Sequence, residues 1–386
     1  MSLKEIQGAK SWIYAERYLN GFKKVANEIS LEYCAINGLE NFNLPFVDIN
    51  LNKIEALFAY PTSKVFNKVI KNGKARFFIH PDSLHEFGHK RISGVIKVSP
   101  TSSTRTVYPL KEDFCIKLHL NRRLSRFIRR LRAGSVEHSI LISSEIECGL
   151  RRAPKSFAYL PESVGFVYEG KGVIIREMTP RPRVKEKRFF LPLFSMYSTD
   201  LKNANLEPLF VQIVTAKKLE PLRFFLDSFI DPILKNISYF LDNYGVLLEC
   251  HGQNVLVEFD SKFNVKRMIH RDFQSIYIDS EIRKKKGLPE KFSKHIMGTE
   301  CPKEISYSVV YDQYLGGYVF DSFVKLISEK WDIPKEKIRL EIKKRFLRHL
   351  NNELFPKEGY YLMKKGEFKD NNTEFEFYAE KPAYRP

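Results

Sequence analysis

The chain has 386 residues, 43% of them hydrophobic and 28% charged, which is enough apolar material for a large core and a length that predicts two or three domains. Its net charge of +18 favours anionic partners, but the basic residues are dispersed as Arg122 to Arg132, Arg181 to Arg188 and Arg283 to Lys286, with no zinc-finger, RRM or KH pattern, so nucleic acid is not an expected partner. Five scattered cysteines without a CxxC pair support neither a disulfide framework nor a zinc site and fit a reducing, cytoplasmic setting; no signal-peptide h-region opens the chain and no run nears 18 apolar residues, so no membrane span is expected.

Residues 1 to about 75 read as mostly helical. Leu19, Phe22, Val25, Ala26 and Ile29 recur at spacings of three and four over Ala15 to Ile29, and Lys53–Tyr60 and Thr62–Ile70 read as short helical pieces with Thr62 as N-cap. The segment His80 to Gly94 crowds His80, His85, His89, Lys90 and Arg91 into one turn-rich stretch. Such a cluster suits a polycarboxylate held by charge-assisted hydrogen bonds, with a solvated basic loop as the plain alternative.

A strand over Val95–Val98 leads to Thr101-Ser-Ser103-Thr104-Arg105-Thr106, a loop of five hydroxyls and one arginine suited to phosphate oxygens. The run Phe114 to Leu120 alternates, which puts Phe114, Ile116 and Leu118 on one face and Cys115, Lys117 and His119 on the other, with Lys117 projecting from mid-strand away from the core. Protein kinases use a strand lysine in this way to grip ATP phosphates. A helix capped by Asn121 is then expected, with Arg126, Arg129 and Arg130 crowded on one face, and Ser144-Glu-Ile-Glu147 reads as a capping box for another. Phe166 to Glu177 predicts a hairpin turning near Gly170 and ending on Arg176. Pro180 to Lys187 reads as a mobile basic loop.

From Pro221 an apolar stripe of Leu222, Phe225, Leu226, Phe229, Ile233, Leu234, Ile237 and Leu241 predicts a helix kinked at Pro232. A polar loop follows, Glu249-Cys-His251-Gly-Gln253-Asn254, between a short apolar run and a Val/Leu strand. A second strand, Val265–Ile269, delivers Arg271-Asp272-Phe273. Strand, polar loop, strand, acid is the order in which nucleotide sites place their phosphate and Mg²⁺ groups. Tyr314–Ile327 and Lys335–Leu350 read as amphipathic helices, and Phe368–Tyr378 as a small β piece.

These motifs, in this order, resemble the NRPS-independent siderophore (NIS) synthetases, the IucA/IucC or aerobactin synthetase-like family. The match covers roughly Gly94 to Asp272 and extends more loosely over the C-terminal part. On that resemblance Ser103, Thr104, Arg105 and Thr106 form the ATP loop, Lys117 is the strand lysine and Arg129 the arginine of the following helix. Glu249, His251, Gln253 and Asn254 form the E-x-H-x-Q-N element, and Asp272 is the acid of R-D-F. It implies ATP bound by these residues, Mg²⁺ on Glu249, Asn254 and Asp272, and a carboxylate held by His85, Lys90 and Arg176.

The implied activity is an acid–amine or acid–alcohol ligase that adenylates citrate or a related polycarboxylate, with Lys117, Arg129, Arg105 and His251 catalytic. The resemblance further implies a role in siderophore biosynthesis and iron acquisition, a cytoplasmic location and a homodimer. The implied fold is α+β. It has a helical N-terminal part (residues 1–94), a β-rich middle region (95–217), and a kinase-like mixed palm with a helical C-terminal part (218–386). The chain departs from the family by being much shorter, chiefly before the first motif. Two rivals stand beside this reading. A small-molecule kinase shares the His-loop-Asn and the later Asp, but it keeps an Asp base where this chain has Gln253. A degenerate nucleotide-binding protein is the third.

Overall fold

The computed structural model describes residues 1–6, 11–20, 28–59, 64–88, 91–124, 127–292, 302–362 and 377–386. The α+β class holds. Nine strands form one antiparallel sheet: β1 Phe42–Asn50, β2 Glu55–Phe58, β3 Ile70–Lys71, β4 Lys74–Phe78, β5 Gly94–Pro100, β6 Thr106–Pro109, β7 Phe114–Leu118, then β11 Glu162–Tyr168 and β12 Lys171–Glu177. Their spatial order is β2-β11-β12-β7-β6-β5-β1-β4-β3, so strands on both sides of residue 94 share the sheet. The rings of Phe77 in β4 and Tyr168 in β11, near opposite edges, lie 6.0 Å apart. The sheet therefore curls round a core that includes Leu44, Phe77, Val107, Ile116, Val164 and Val173.

The other face of the sheet takes a different partner. Helix α3 (Ala133–Gly149) lies across β11 and β12, after α1 (Ser11–Tyr18) and the single turn α2 (Phe66–Val69) in chain order. The close approach depends on Gly165 and Gly172, where an added Cβ would come within 2.4 Å of Val136. The short hairpin β8 (Arg123–Leu124) and β9 (Phe127–Ile128) precedes α3.

A second, four-stranded sheet has the order β10-β16-β15-β13, built from β10 Phe157–Tyr159, β13 Arg188–Pro192, β15 Val255–Asp260 and β16 Val265–His270. The larger core fills the space between this sheet and the C-terminal helices. The expected helix from Pro221 is present, and its π-type turn Leu226–Ile230 falls immediately before Asp231–Pro232. A wide turn there accommodates the missing proline N–H. One continuous helical stretch, Lys303 to Trp331, and a further helix, Lys335–His349, complete this half. No helix among the described residues is long and apolar enough to cross a membrane.

Several local expectations are corrected. The first 75 residues are not mostly helical. Helix α1 ends at Tyr18, and residues 21–27, inside the expected Ala15–Ile29 helix, lie outside the described residues. Phe42–Asn50 alternates buried Phe42, Leu44 and Phe46 with exposed Asn43, a period of two that makes it a strand. Lys53–Tyr60 supplies the edge strand β2, and Thr62–Ile70 keeps only a four-residue turn of helix, with Thr62 outside the described residues. Among the described residues, Asn121 caps no helix. Leu120 N donates to Arg129 O at 3.2 Å and Arg129 N to Arg122 O at 3.0 Å, an antiparallel ladder that avoids stacking like charges on one helix face. Arg126 lies outside the described residues. Ser144 does not open a helix: it sits inside α3, its hydroxyl donating to Ile140 O at 3.0 Å. The Pro180–Lys187 loop is tied down by reciprocal backbone bonds between Arg181 and Tyr159 at 2.9 and 3.0 Å. The C-terminal β piece pairs Gly359–Leu362 with Phe377–Glu380, and residues 363–376 lie outside the described residues.

Candidate active site

The register of the large sheet collects the first group of polar side chains. Thr106 of β6 lies opposite Lys117 of β7, Arg176 of β12 opposite Cys115, and Glu162 of β11 opposite Arg176. Directly opposed residues share a face, so Thr106, Lys117, Arg176 and Glu162 stand on the side away from Phe114, Ile116 and Leu118. The face assignment made from alternation is right, but its corollary is not: Lys117 is 1% exposed, because the second sheet covers this polar side.

The cover comes from the segment after β16. Asp272 has φ +69, a left-handed conformation that Asp tolerates, and Phe273 N donates to Glu162 Oε2 at 3.3 Å. Lys117 Nζ forms an ion pair with Asp272 Oδ1, and Arg176 Nη2 lies 3.7 Å from Asp272 Oδ2. Arg176 also donates to Glu162 Oε1 from Nε at 3.0 Å and from Nη2 at 2.5 Å. Arg105 donates to Arg129 O at 2.9 Å and to Gln274 Oε1 at 2.8 Å. Four cations, Arg105, Lys117, Arg129 and Arg176, thus lie around the carboxylates Glu162 and Asp272, with Glu249 also acting on Arg129.

The electrostatics follow from that imbalance. Burial pushes Lys117 down to about 8 and Arg105 down to about 10, the latter helped by Arg129, and burial also lowers Arg129. Burial works against the charge of Arg176 too, but Glu162 and Asp272 outweigh it and raise the group. Asp272 would be raised by burial, yet Lys117 and Arg176 hold it well below the usual carboxylate range.

The hydroxyl loop between β5 and β6 borders this cluster. Thr104 has φ +66, an outlier for a β-branched residue, and is held there by Thr104 N donating to Thr101 O at 2.9 Å. Thr101 Oγ1 donates to Thr106 O at 2.7 Å, and Thr106 N to Ser103 Oγ at 3.0 Å. Strain of this kind concentrates at binding sites. Opposite lies the His251–Asn254 loop. Gly252 is required there, since a Cβ would meet Tyr197 Oη at 2.3 Å. His251 Nδ1 accepts from Gln253 N at 3.1 Å, which leaves the ring proton on Nε2, 3.3 Å from Glu249 Oε1. Asn254 is buried, and its backbone O accepts from Arg271 N at 2.9 Å.

The structure therefore brings Arg105, Lys117, Arg129, Arg176 and Asp272 together, with Ser103, Thr104 and Thr106 on the adjoining loop and Glu249, His251, Gln253 and Asn254 across from it. Arg129 reaches the group from the end of the β8–β9 hairpin rather than from a helix. The His80–Gly94 segment is placed differently. His85 is exposed, and Lys90 lies outside the described residues. His80 is fully buried against Tyr33 and Phe42, its Nδ1 accepts from Asp82 N at 3.2 Å, and burial pushes it down to about 4, so it is a neutral cap. Glu86 lies 3.5 Å from His119 Nε2, which sets the segment's end beside the strand of Lys117.

Sequence reasoning missed Glu162, Gln274 and Glu16. Counting back from the Gly170 turn pairs Ser163 with Arg176, but a bulge between Glu162 and Val164 moves Glu162 into that place. Gln274 could have been found, two residues after Asp272. Among the described residues no three His, Cys, Asp or Glu side chains form a metal cage. Mg²⁺ is commonly held by one or two carboxylates plus substrate phosphates, and Asp272, with 25% of its side chain exposed, fits that use.

The fold matches solved structures closely. It is similar to the petrobactin biosynthesis protein AsbB of Bacillus anthracis, with TM-score 0.70 and 15% identity over 89% of this chain and 68% of that one. It is similar to ATP-bound aerobactin synthetase IucA of Klebsiella pneumoniae, with TM-score 0.66 and 13% identity over 92% and 71%. Aerobactin synthetase IucC of the same organism gives 0.57 and 15% over 89% and 65%. A family model described as ferric iron reductase FhuF-like transporter matches residues 223–312, and no curated protein sequence matches the chain. The chain is thus built on the fold of the siderophore synthetases. The resemblance read from its motifs is met at the level of that fold.

Proposed function

We propose that this protein is an ATP-dependent ligase of the NIS synthetase family acting in siderophore biosynthesis. The observation that carries the reading is the buried surplus of cations, Arg105, Lys117 and Arg129 beside Arg176, which is complementary to a polyphosphate. The ATP-bound IucA neighbour supports the choice of nucleotide. A carboxylate oxygen of the substrate attacks the α-phosphorus, and the bond to the pyrophosphate leaving group breaks. An amine or hydroxyl then attacks the acyl carbon, loses its proton and displaces AMP. Lys117, Arg105 and Arg129 stabilise the charge that builds on the phosphate oxygens, while His251, with Nε2–H directed by Glu249, offers a hydrogen bond from the facing loop. Mg²⁺ bound with the nucleotide would be held by Asp272, Asn254 and Glu249 and would neutralise phosphate charge. A polycarboxylate such as citrate, the homodimer and the cytoplasmic setting belong to the same proposal.

The kinase alternative lacks a base. Gln253 cannot take a proton from an alcohol, whereas a carboxylate is already ionised at pH 7. The test is to incubate the protein with ATP, Mg²⁺, a panel of polycarboxylates and hydroxylamine, and to separate the nucleotides. Carboxylate-dependent AMP, pyrophosphate and hydroxamate are expected. Carboxylate-dependent ADP without AMP would replace the ligase with a kinase.

A further inference from the structure

The first helix carries Glu16, which completes a closed ring of hydrogen bonds and one ion pair at the candidate site. Glu16, near the end of α1, is 0% exposed. Its Oε2 accepts from Ser102 Oγ at 2.5 Å and from Ser102 N at 3.2 Å. Its Oε1 lies 2.5 Å from Arg271 Nη2. Arg271 Nε donates to Gln253 O at 2.9 Å, and Gln253 Nε2 donates to Ser102 Oγ at 2.7 Å, which closes the ring.

Each member sits next to a residue already placed at the site. Ser102 precedes Ser103 and the strained Thr104, Arg271 precedes Asp272, and Gln253 adjoins Asn254. Helix α1 is itself firmly seated. Arg17 donates to Gly38 O, Leu39 O and Glu40 O at 3.2, 2.9 and 2.7 Å, and Trp12 packs edge-on against Tyr108 of β6 at 4.8 Å. We propose that Glu16 is a positioning residue for nucleotide binding. It fixes the hydroxyl loop, the His251–Asn254 loop and the Arg271–Asp272 turn in one mutual geometry, so the N-terminal helix is part of the active site.

Stability alone is a poor reason for the ring, because a buried charge pair roughly breaks even against apolar packing of the same volume. Holding three loops from different parts of the chain is what this ring does that apolar packing would not. The side-chain amide of Gln253 is also accounted for: it braces Ser102. This inference rests on the ATP-binding reading above, and its test separates the two.

ATP–Mg²⁺ binding to the full chain is measured by calorimetry for the wild type, Glu16→Gln and Ser102→Ala, with circular dichroism to confirm folding and KM for ATP and for the carboxylate measured in the hydroxamate assay. Glu16→Gln keeps an acceptor for Ser102 and removes the charge facing Arg271. Ser102→Ala removes the hub and leaves the Glu16–Arg271 pair in place, so it keeps the test alive if Glu16→Gln does not fold. Each folded variant should weaken ATP binding roughly tenfold, the scale of one hydrogen bond to a charged group. KM for ATP should rise in parallel and KM for the carboxylate should stay within about twofold. The double variant should be no weaker than the weaker single variant, as expected of members of one ring. ATP affinity within about twofold of wild type in the folded variants overturns the role of Glu16. Failure of the wild type itself to bind ATP overturns the nucleotide reading instead.

Discussion

Replacing Lys117 by Met should separate stability from activity. Methionine nearly matches the lysine stem in volume, so the 1%-exposed site stays filled. The ammonium is held down from 10.5 to about 8, chiefly by burial. At about 1.4 kcal/mol per pH unit, the fold disfavours this charge by roughly 3 kcal/mol. The cost is present in full below pH 8 and fades as pH rises from 8 towards 10.5, where the unfolded chain also loses the proton. Asp272 is not abandoned in the variant, since Arg176 remains 3.7 Å away. Lys117→Met should therefore be as stable as the wild type at pH 7 or more stable, by about 3 kcal/mol at most, while its carboxylate-dependent AMP formation falls by about 10²–10³. Urea unfolding and the hydroxamate assay measure the two. A loss of more than about 2 kcal/mol on unfolding would make the ion pair structural in the manner of a broken buried pair. Near-wild-type turnover would remove Lys117 from the chemistry.

Three further outcomes follow from the same geometry. Asp272→Asn removes an anionic ligand and should raise the Mg²⁺ concentration for half-maximal rate by roughly tenfold; an unchanged Mg²⁺ curve would leave Asp272 as a partner of Lys117 only. Arg105→Lys keeps the charge but cannot span Arg129 O and Gln274 as the guanidinium does, so ATP affinity should fall, and an unchanged affinity by calorimetry would reduce Arg105 to a point charge. His138, buried with Nε2 2.8 Å from Ile276 O, is pushed down to about 4, chiefly by burial. Unfolding lets it protonate near 6.5, so the wild type should lose about 2 kcal/mol from this group between pH 7 and pH 5, and His138→Gln should flatten that fall; parallel pH dependences in urea titrations would refute it.

What the sequence made readable was local chemistry on regular elements. The alternation at Phe114–Leu118 put Lys117 on the polar face, the Gly170 turn ended its hairpin on Arg176, and the strands flanking His251–Asn254 delivered Asp272 as expected. What it hid was set by contacts distant in the chain. Burial of Lys117 depends on a second sheet that begins at Phe157 and is completed more than a hundred residues later by Val265–His270. A single bulge moved Glu162 into the site in place of Ser163. Arg122 to Arg132 carries enough charge to suggest a helix face, and the ladder between Leu120 and Arg129 could not be read from spacing. Glu16 looked like one more polar position on an amphipathic helix, because nothing local distinguishes a buried glutamate with two distant partners from a solvated one.

The four cations are not equivalent, and the difference bears on what each one does. Arg176 is the only one of them whose charge the protein favours on balance, and the cause is internal: Glu162 directly opposite and Asp272 beyond it. Its guanidinium is already spent on holding two carboxylates, which suits a residue that orients Asp272 better than one that captures a carboxylate substrate. Arg105, Lys117 and Arg129 have their charges opposed by burial and incompletely compensated by the acids nearby. A fold keeps such an arrangement where an anion from outside completes it, because a buried charge surplus costs stability and apolar residues could fill the same space. Arg105, Lys117 and Arg129, the cations that resemblance assigns to ATP, are thus the ones whose charge burial opposes on balance, while Arg176 is already held by Glu162 and Asp272.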